Sequence, residues 1–164
     1  MELIQHTIAW CKGEIFEGRI VLFVGLLVAL AAFGFWKFGE TPYARAAVLP
    51  VAVLAALMMV AGASMSVNNT RRIQAYTEAH TADPHAFAQA ERERTDDFIA
   101  WYPRTRWIFL GVALVGMLLM TYGSPLWRSI GMVLIGGALG VYVIDHFSEE
   151  RALVYHGHIL KALK

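Results

Sequence analysis

Charged residues are scarce in this sequence. Asp, Glu, Lys and Arg make up 16% of its 164 residues, against about 25% in soluble domains. Cysteine is nearly absent: Cys11 stands alone, which excludes an internal disulfide and any paired-cysteine redox or zinc motif. No basic run is present and the formal net charge is +1, so nothing points to nucleic acid as a partner. Internal repeats and low-complexity segments are missing. Residues 1–19 include Glu2, Lys12, Glu14, Glu17 and Arg19, which is not the short basic start of a signal peptide. The apolar stretch that follows runs on to Trp36 and is expected to be retained.

What fills the chain instead is apolar sequence. Hydrophobic residues are 57% of the total, more than a domain of this size can hide while about a third of its unfolded surface stays wet. They fall in four uncharged blocks, Ile20–Trp36, Ala46–Thr70, Trp107–Trp127 and Ser129–Ile144. A crossing helix needs about 20 residues, with a range near 17–25. The second and third blocks qualify directly, and the first and fourth are completed by snorkelling Arg19, Lys37 and Arg128.

The expected fold is all-α. It is one polytopic membrane domain over residues 1–164, a four-transmembrane-helix bundle with helices extended into the cytoplasm. Spans are placed at about 19–38, 46–68, 105–124 and 127–146, with cytoplasmic helical extensions at 2–18, 69–103 and 147–163. Eleven of the 14 Lys and Arg lie in the N-terminal segment, the loop 71–106 and the C-terminal tail. The positive-inside rule therefore puts both termini in the cytoplasm. Ten Arg against four Lys, with abundant Ala, hints at a GC-rich bacterial source, hence a bacterial inner membrane. The lipid bilayer is the expected partner. Gly136 and Gly140 form a GxxxG pair suited to close helix contact, and Gly62 with Ser66 gives a weaker version. Packing inside one bundle is the blander reading of the pair; a homo-oligomer or membrane partner through Gly136 and Gly140 is the alternative.

The extensions read as helices. Residues 71–80 contain no Gly or Pro, so the second helix continues to about His80. Asp83-Pro84 makes an N-cap and first-turn pair for the next helix, which runs to about Trp101 before Pro103 resets the chain. After Asp145 helical spacing persists, weakened by Gly157.

At 100° per residue, His6, Trp10, Glu14 and Glu17 share a face of the first extension. Asn69, Ile73, Tyr76, Thr77 and His80 do so in the second. Glu91 and Arg94 fall within an apolar stripe of Phe87, Phe98, Trp101 and Tyr102. Asp145, Glu149, Ala152, His156 and Leu163 align in the last, while His85, Arg92, Asp96 and His158 point elsewhere, toward solvent. Adding a rise of about 1.5 Å per residue gives two layers. The inner layer holds Glu14, Glu17, Asp145 and Glu149, with Arg19, Arg71, Arg72, Arg104 and Arg106 at similar depth. The outer layer holds His6, His80, Glu91, Arg94 and His156.

The sharp reading of the outer layer is a metal site of His6, His80, Glu91 and His156. Three imidazoles and a carboxylate suit zinc, iron or manganese. No HExxH, ExxH or HxxxH spacing supports it, and isolated histidines on amphipathic helices are more often structural. The inner layer reads as an ion-pair belt attracted to an anionic leaflet, or as a site for a charged head group or proton relay. Arg19 is the expected partner of Asp145.

No family pattern fits. The first span lacks the embedded glutamate of four-span small multidrug transporters. Cys11 cannot serve as the cysteine pair of disulfide-forming quinone reductases, Asp145 alone is short of the two aspartates of lipoprotein signal peptidase, and the spans carry no histidine pair for haem. Three function classes remain: a cytoplasmic site for a metal or polar ligand, with or without catalysis; a structural or assembly subunit, whose signature would be Phe87, Phe98, Trp101 and Tyr102 exposed; and a small transporter, for which polar groups along the spans are too few.

Overall fold

The structure is a computed structural model and describes residues 2–164. Five helices account for it: α1 (Leu3–Phe38), α2 (Pro42–Ala82), α3 (Pro84–Ile99), α4 (Tyr102–Tyr122) and α5 (Pro125–Ala162). No strand occurs among the described residues. Four helical stretches, Leu3–Phe38, Pro42–Ala82, Pro84–Tyr122 and Pro125–Ala162, are long and apolar enough to cross a membrane, and the chain is a multi-pass membrane protein.

Local chemistry sets the helix ends, and at Asp83-Pro84 it does so as the sequence predicts. Thr41 caps α2 by accepting from the Ala44 amide at 3.2 Å. Asp83 caps α3 by accepting from the amides of His85 and Ala86, both at 3.0 Å, with Pro84 in the first turn. Pro103 lies inside the first turn of α4, where a missing N–H costs nothing. Ala100 and Trp101 form the short joint between α3 and α4.

Two hairpins form the membrane part. α1 packs along α2 and α4 along α5, and the pairs meet through α2 and α5. Glycines set both hairpin contacts. A Cβ on Gly18 would lie 2.8 Å from the Gly62 carbonyl oxygen, and one on Gly116 would lie 2.8 Å from that of Gly131. Lipid removes the hydrophobic drive for helix association, so this backbone approach supplies the contact. Gly62 and Ser66 act here as their spacing suggests. Gly136 and Gly140 correct the in-bundle reading: nothing lies within 4 Å of a Cβ on either.

Beyond the membrane, water restores the hydrophobic drive. There α1, α2, α3 and α5 close on a core of Leu3, Trp10, Cys11, Phe87, Ala88, Tyr155 and Ile159. Two turn periodicities build it: Leu3, Thr7, Trp10, Cys11 and Glu14 are buried along α1, and Ala152, Tyr155 and Ile159 along α5. Phe87 and Tyr102 are buried and Phe98 is half-buried, so of the four aromatics proposed as a docking signature only Trp101 stands exposed.

Candidate functional site

Two polar assemblies occupy the extramembrane bundle, one enclosed and one open to water. The enclosed one centres on Glu91, which α3 places in the core at 3% exposure. Its carboxylate accepts from Arg94 Nε at 2.8 Å and Nη2 at 2.7 Å, and from the Tyr155 hydroxyl at 2.7 Å. That hydroxyl also bonds Thr7 Oγ1 at 2.9 Å. The Arg94 guanidinium carbon lies 4.8 Å from the Trp10 ring centre, 5.2 Å from Phe98 and 5.7 Å from Tyr76, a cation held against three π faces. Burial alone would lower the Arg94 pKa, but the hydrogen bonds and charge of Glu91 raise it. Burial pushes the Tyr155 hydroxyl well up, and the Glu91 charge adds to that. The network is a closed clasp, each member satisfied by its neighbours.

The four expected metal ligands do not converge. Glu91 is committed to Arg94 and Tyr155. His156 bonds Thr95 Oγ1 through Nδ1 at 2.8 Å, and its Nε2 lies 3.4 Å from Asp96. His80 packs edge-on against Phe87. His6 stacks on His158 with ring centres 3.5 Å apart, and burial together with the His158 charge lowers its pKa. Among the described residues, no group of three or more His, Cys, Asp or Glu is placed to hold a metal ion. Asp96, exposed as read, lies beside His156, and His158, read as solvated, stacks on His6. Thr95, His156 and Asp96 line up as hydroxyl, imidazole and carboxylate, but Thr95 is 0% exposed and its hydroxyl lies at 2.8 Å from the Glu91 carbonyl. No substrate reaches it.

The inner layer is an ion-pair belt with two separate halves. Arg151 bridges α5 to α1, its Nη2 lying 2.9 Å from Glu14 and 2.6 Å from Glu17. Arg106 pairs with Glu149 across α4 and α5. Asp145 accepts from Thr105 Oγ1 at 2.7 Å, which corrects the expected Arg19 partner. Arg19 is exposed because residue 19 falls one position past the buried Glu17–Gly18 pair of α1. Sequence reasoning missed Arg151, Tyr155 and Thr7. The signal for Arg151 and Tyr155 was the stripe Ser148, Arg151, Tyr155 and Ile159, one flank round from the face chosen for α5; that for Thr7 was its place one turn from Leu3 and Trp10 on α1.

The open assembly is a cleft of about 550 Å³ where α1, α2, α3, the α3–α4 joint and α5 meet. Trp10, Phe98, Trp101 and Tyr102 wall it, and Glu14, Arg72, Arg94, Asp97 and Ser148 supply its polar groups. Tyr102 and Ser148 hydroxyls bond each other at 3.2 Å. Trp10 is nine-tenths buried, yet its Nε1–H has no partner, and a buried donor without one carries a desolvation cost. A second groove of about 520 Å³, between α4 and α5, is lined by Trp107, Phe109, Leu110 and Leu139 on the apolar stretches of both helices. The lining of the cleft thus combines hydroxyls, aromatic faces, guanidinium groups and carboxylates.

Cys11, beside the clasp, is 0% exposed, and burial raises its pKa from 9.0 to about 11. Thiolate is the reactive form. Maleimide at pH 7.5 is therefore expected to leave Cys11 unmodified in the folded protein and to label it fully in denaturant, read by intact mass. Fast labelling of the folded protein would refute the enclosed core. Because the folded pKa exceeds the unfolded one, the stabilising contribution of this thiol is complete below about pH 9 and lost as the pH rises through about 11.

No family model, curated protein or solved structure matches this chain.

Proposed function

We propose that this membrane protein is a binding protein, taking a polar ligand into the cleft among Trp10, Arg72, Phe98, Trp101 and Ser148 on the cytoplasmic side of a bacterial inner membrane. The observation that carries the reading is a water-facing cleft walled by Trp10, Phe98 and Trp101 whose exposed Arg72 and Asp97 have no oppositely charged partner within 4 Å among the described residues. A ligand that brings both an anionic group and hydroxyls would answer the two. The enclosed clasp beneath holds the aromatic walls in place. The sidedness rests on the 11 of 14 Lys and Arg that flank the cleft's end of the spans. With Cys11 silent, a Lys164→Cys variant carries the sole reactive thiol, and an impermeant maleimide should label it in inside-out vesicles only.

Native mass spectrometry of protein purified in mild detergent tests the binding. The wild type should carry one small-molecule adduct at near-stoichiometric level, and Trp101→Ala, which changes an exposed wall residue, should lose most of it while melting normally. A wild type with no adduct, before or after incubation with cell extract, would sink the reading.

The same spectra address a second reading, a subunit that associates through α5. It is favoured by Gly136 and Gly140, where a Cβ would meet no atom of another helix within 4 Å among the described residues. Oligomers that disappear in Gly140→Leu would support it, and a monomer throughout would count against it.

A further inference from the structure

We propose that the ligand of this cleft is the phosphoglycerol head group of an anionic phospholipid, an inference that rests on the binding role above. The argument starts from a local charge balance. Two of the cleft's charges are already answered within the chain: Arg94 by Glu91 and Glu14 by Arg151. Arg72 and Asp97 line the same cleft, are exposed, and have no oppositely charged partner within 4 Å among the described residues. Arg104 lies over the Trp101 ring at 5.0 Å, is exposed, and likewise has no carboxylate partner among them. The cleft and its rim thus present two unanswered guanidinium groups and one unanswered carboxylate.

That set selects a monoanionic group with hydrogen-bond donors of its own. Guanidinium forks match phosphate oxygens in geometry and charge. Asp97 repels a bare phosphate but accepts from hydroxyls, so a phosphodiester bearing a glycerol hydroxyl satisfies both signs. Depth points to a lipid. Arg72 stands two residues beyond the uncharged block that ends at Thr70, and Trp101 stands six before the one that starts at Trp107. A head group held between them leaves its acyl chains level with the hydrocarbon, where a lipid needs no displacement to reach the site.

The experiment uses the full-length protein in detergent, with native mass spectrometry reading occupancy. The probes are dioleoyl phosphatidylglycerol, phosphatidylcholine of the same chains, and water-soluble glycerol 3-phosphate. Phosphatidylglycerol is expected to bind at least about tenfold more tightly than phosphatidylcholine, and Arg72→Gln and Arg104→Gln are each expected to weaken it by about tenfold. Arg71→Gln is the control: an exposed cation one residue away that does not line the cleft, whose loss should leave affinity unchanged.

An equal loss in Arg71→Gln would mean diffuse attraction to an anionic surface and would overturn the assignment. Equal affinity for phosphatidylcholine would do the same, and glycerol 3-phosphate binding as tightly as the lipid would reassign the site to a soluble phosphate ester. If the wild type instead carries an adduct without phosphorus, the binding role stands and the lipid assignment falls. If no probe binds and no adduct is found, both fall.

Discussion

Glu91→Ala is expected to remove about 3–5 kcal/mol of stability, the range for breaking one side of a buried ion pair, and to lower the melting temperature by about 10 °C or more. The loss has three parts. Arg94 keeps its charge among Trp10, Tyr76 and Phe98 with no counter-ion, and the Tyr155 hydroxyl loses an acceptor held at 2.7 Å. A void also opens beside Phe87 and Ala88 in the extramembrane core. Glu91→Gln retains the shape and an acceptor, so its cost should be well under half as large. A double variant in which Glu91→Leu accompanies Arg94→Met should recover most of the loss, because removing both charges leaves nothing unpaired. Circular dichroism melts in detergent read all three. A Glu91→Ala melt within two degrees of wild type would show that the clasp does not hold the bundle.

The second large effect belongs to the membrane part. Gly62→Leu is expected to cost about 3 kcal/mol or more, because overpacking a close contact forces backbone apart. A Cβ at Gly62 would stand 2.5 Å from both the Gly18 carbonyl oxygen and the Leu22 amide nitrogen, and neither is a flexible side-chain end that can swing away. Gly131→Leu should behave alike in the other hairpin, where the Gly116 carbonyl blocks the same direction. Gly136→Leu is the contrast. It makes the same change on α5 where nothing lies within 4 Å, and it should leave the monomer's melt unchanged. Similar melts for Gly62→Leu and Gly136→Leu would refute the hairpin contacts described here.

These two predictions fall on either side of what could be read from the chain. Four apolar blocks, the Asp83-Pro84 helix start and the helical continuation past Asn69 and Asp145 are local properties, and the helices follow them closely. Burial of Glu14, Glu17 and Glu91 was likewise legible from helical spacing. The partners were not. His6 is aligned with His80, Glu91 and His156 by the face each takes on its own helix and by level, yet each pairs elsewhere, because neither fixes how one helix is rotated relative to the next. A 100° step, one residue, separates Arg151 from Glu150 on α5 and decides which of them meets Glu14 and Glu17. GxxxG spacing succeeds only in part: the Gly62–Ser66 pair marks the α2 side of the first hairpin contact, but no motif marks Gly18 opposite it, and Gly136 and Gly140 satisfy the motif yet face outward.

The sequence by itself determined an all-α chain that crosses a membrane four times and carries ordered helices beyond it. Apolar length, charge placement and caps act through the nearest few residues and through the solvent. Only the tertiary structure decided that the membrane part is two glycine-set hairpins, that Glu91, Arg94, Tyr155 and Thr7 form one clasp, and that Trp10, Arg72 and Trp101 share a cleft. Those outcomes depend on how helices rotate and cross, which is settled by mutual packing among four separate segments and written in none of them alone.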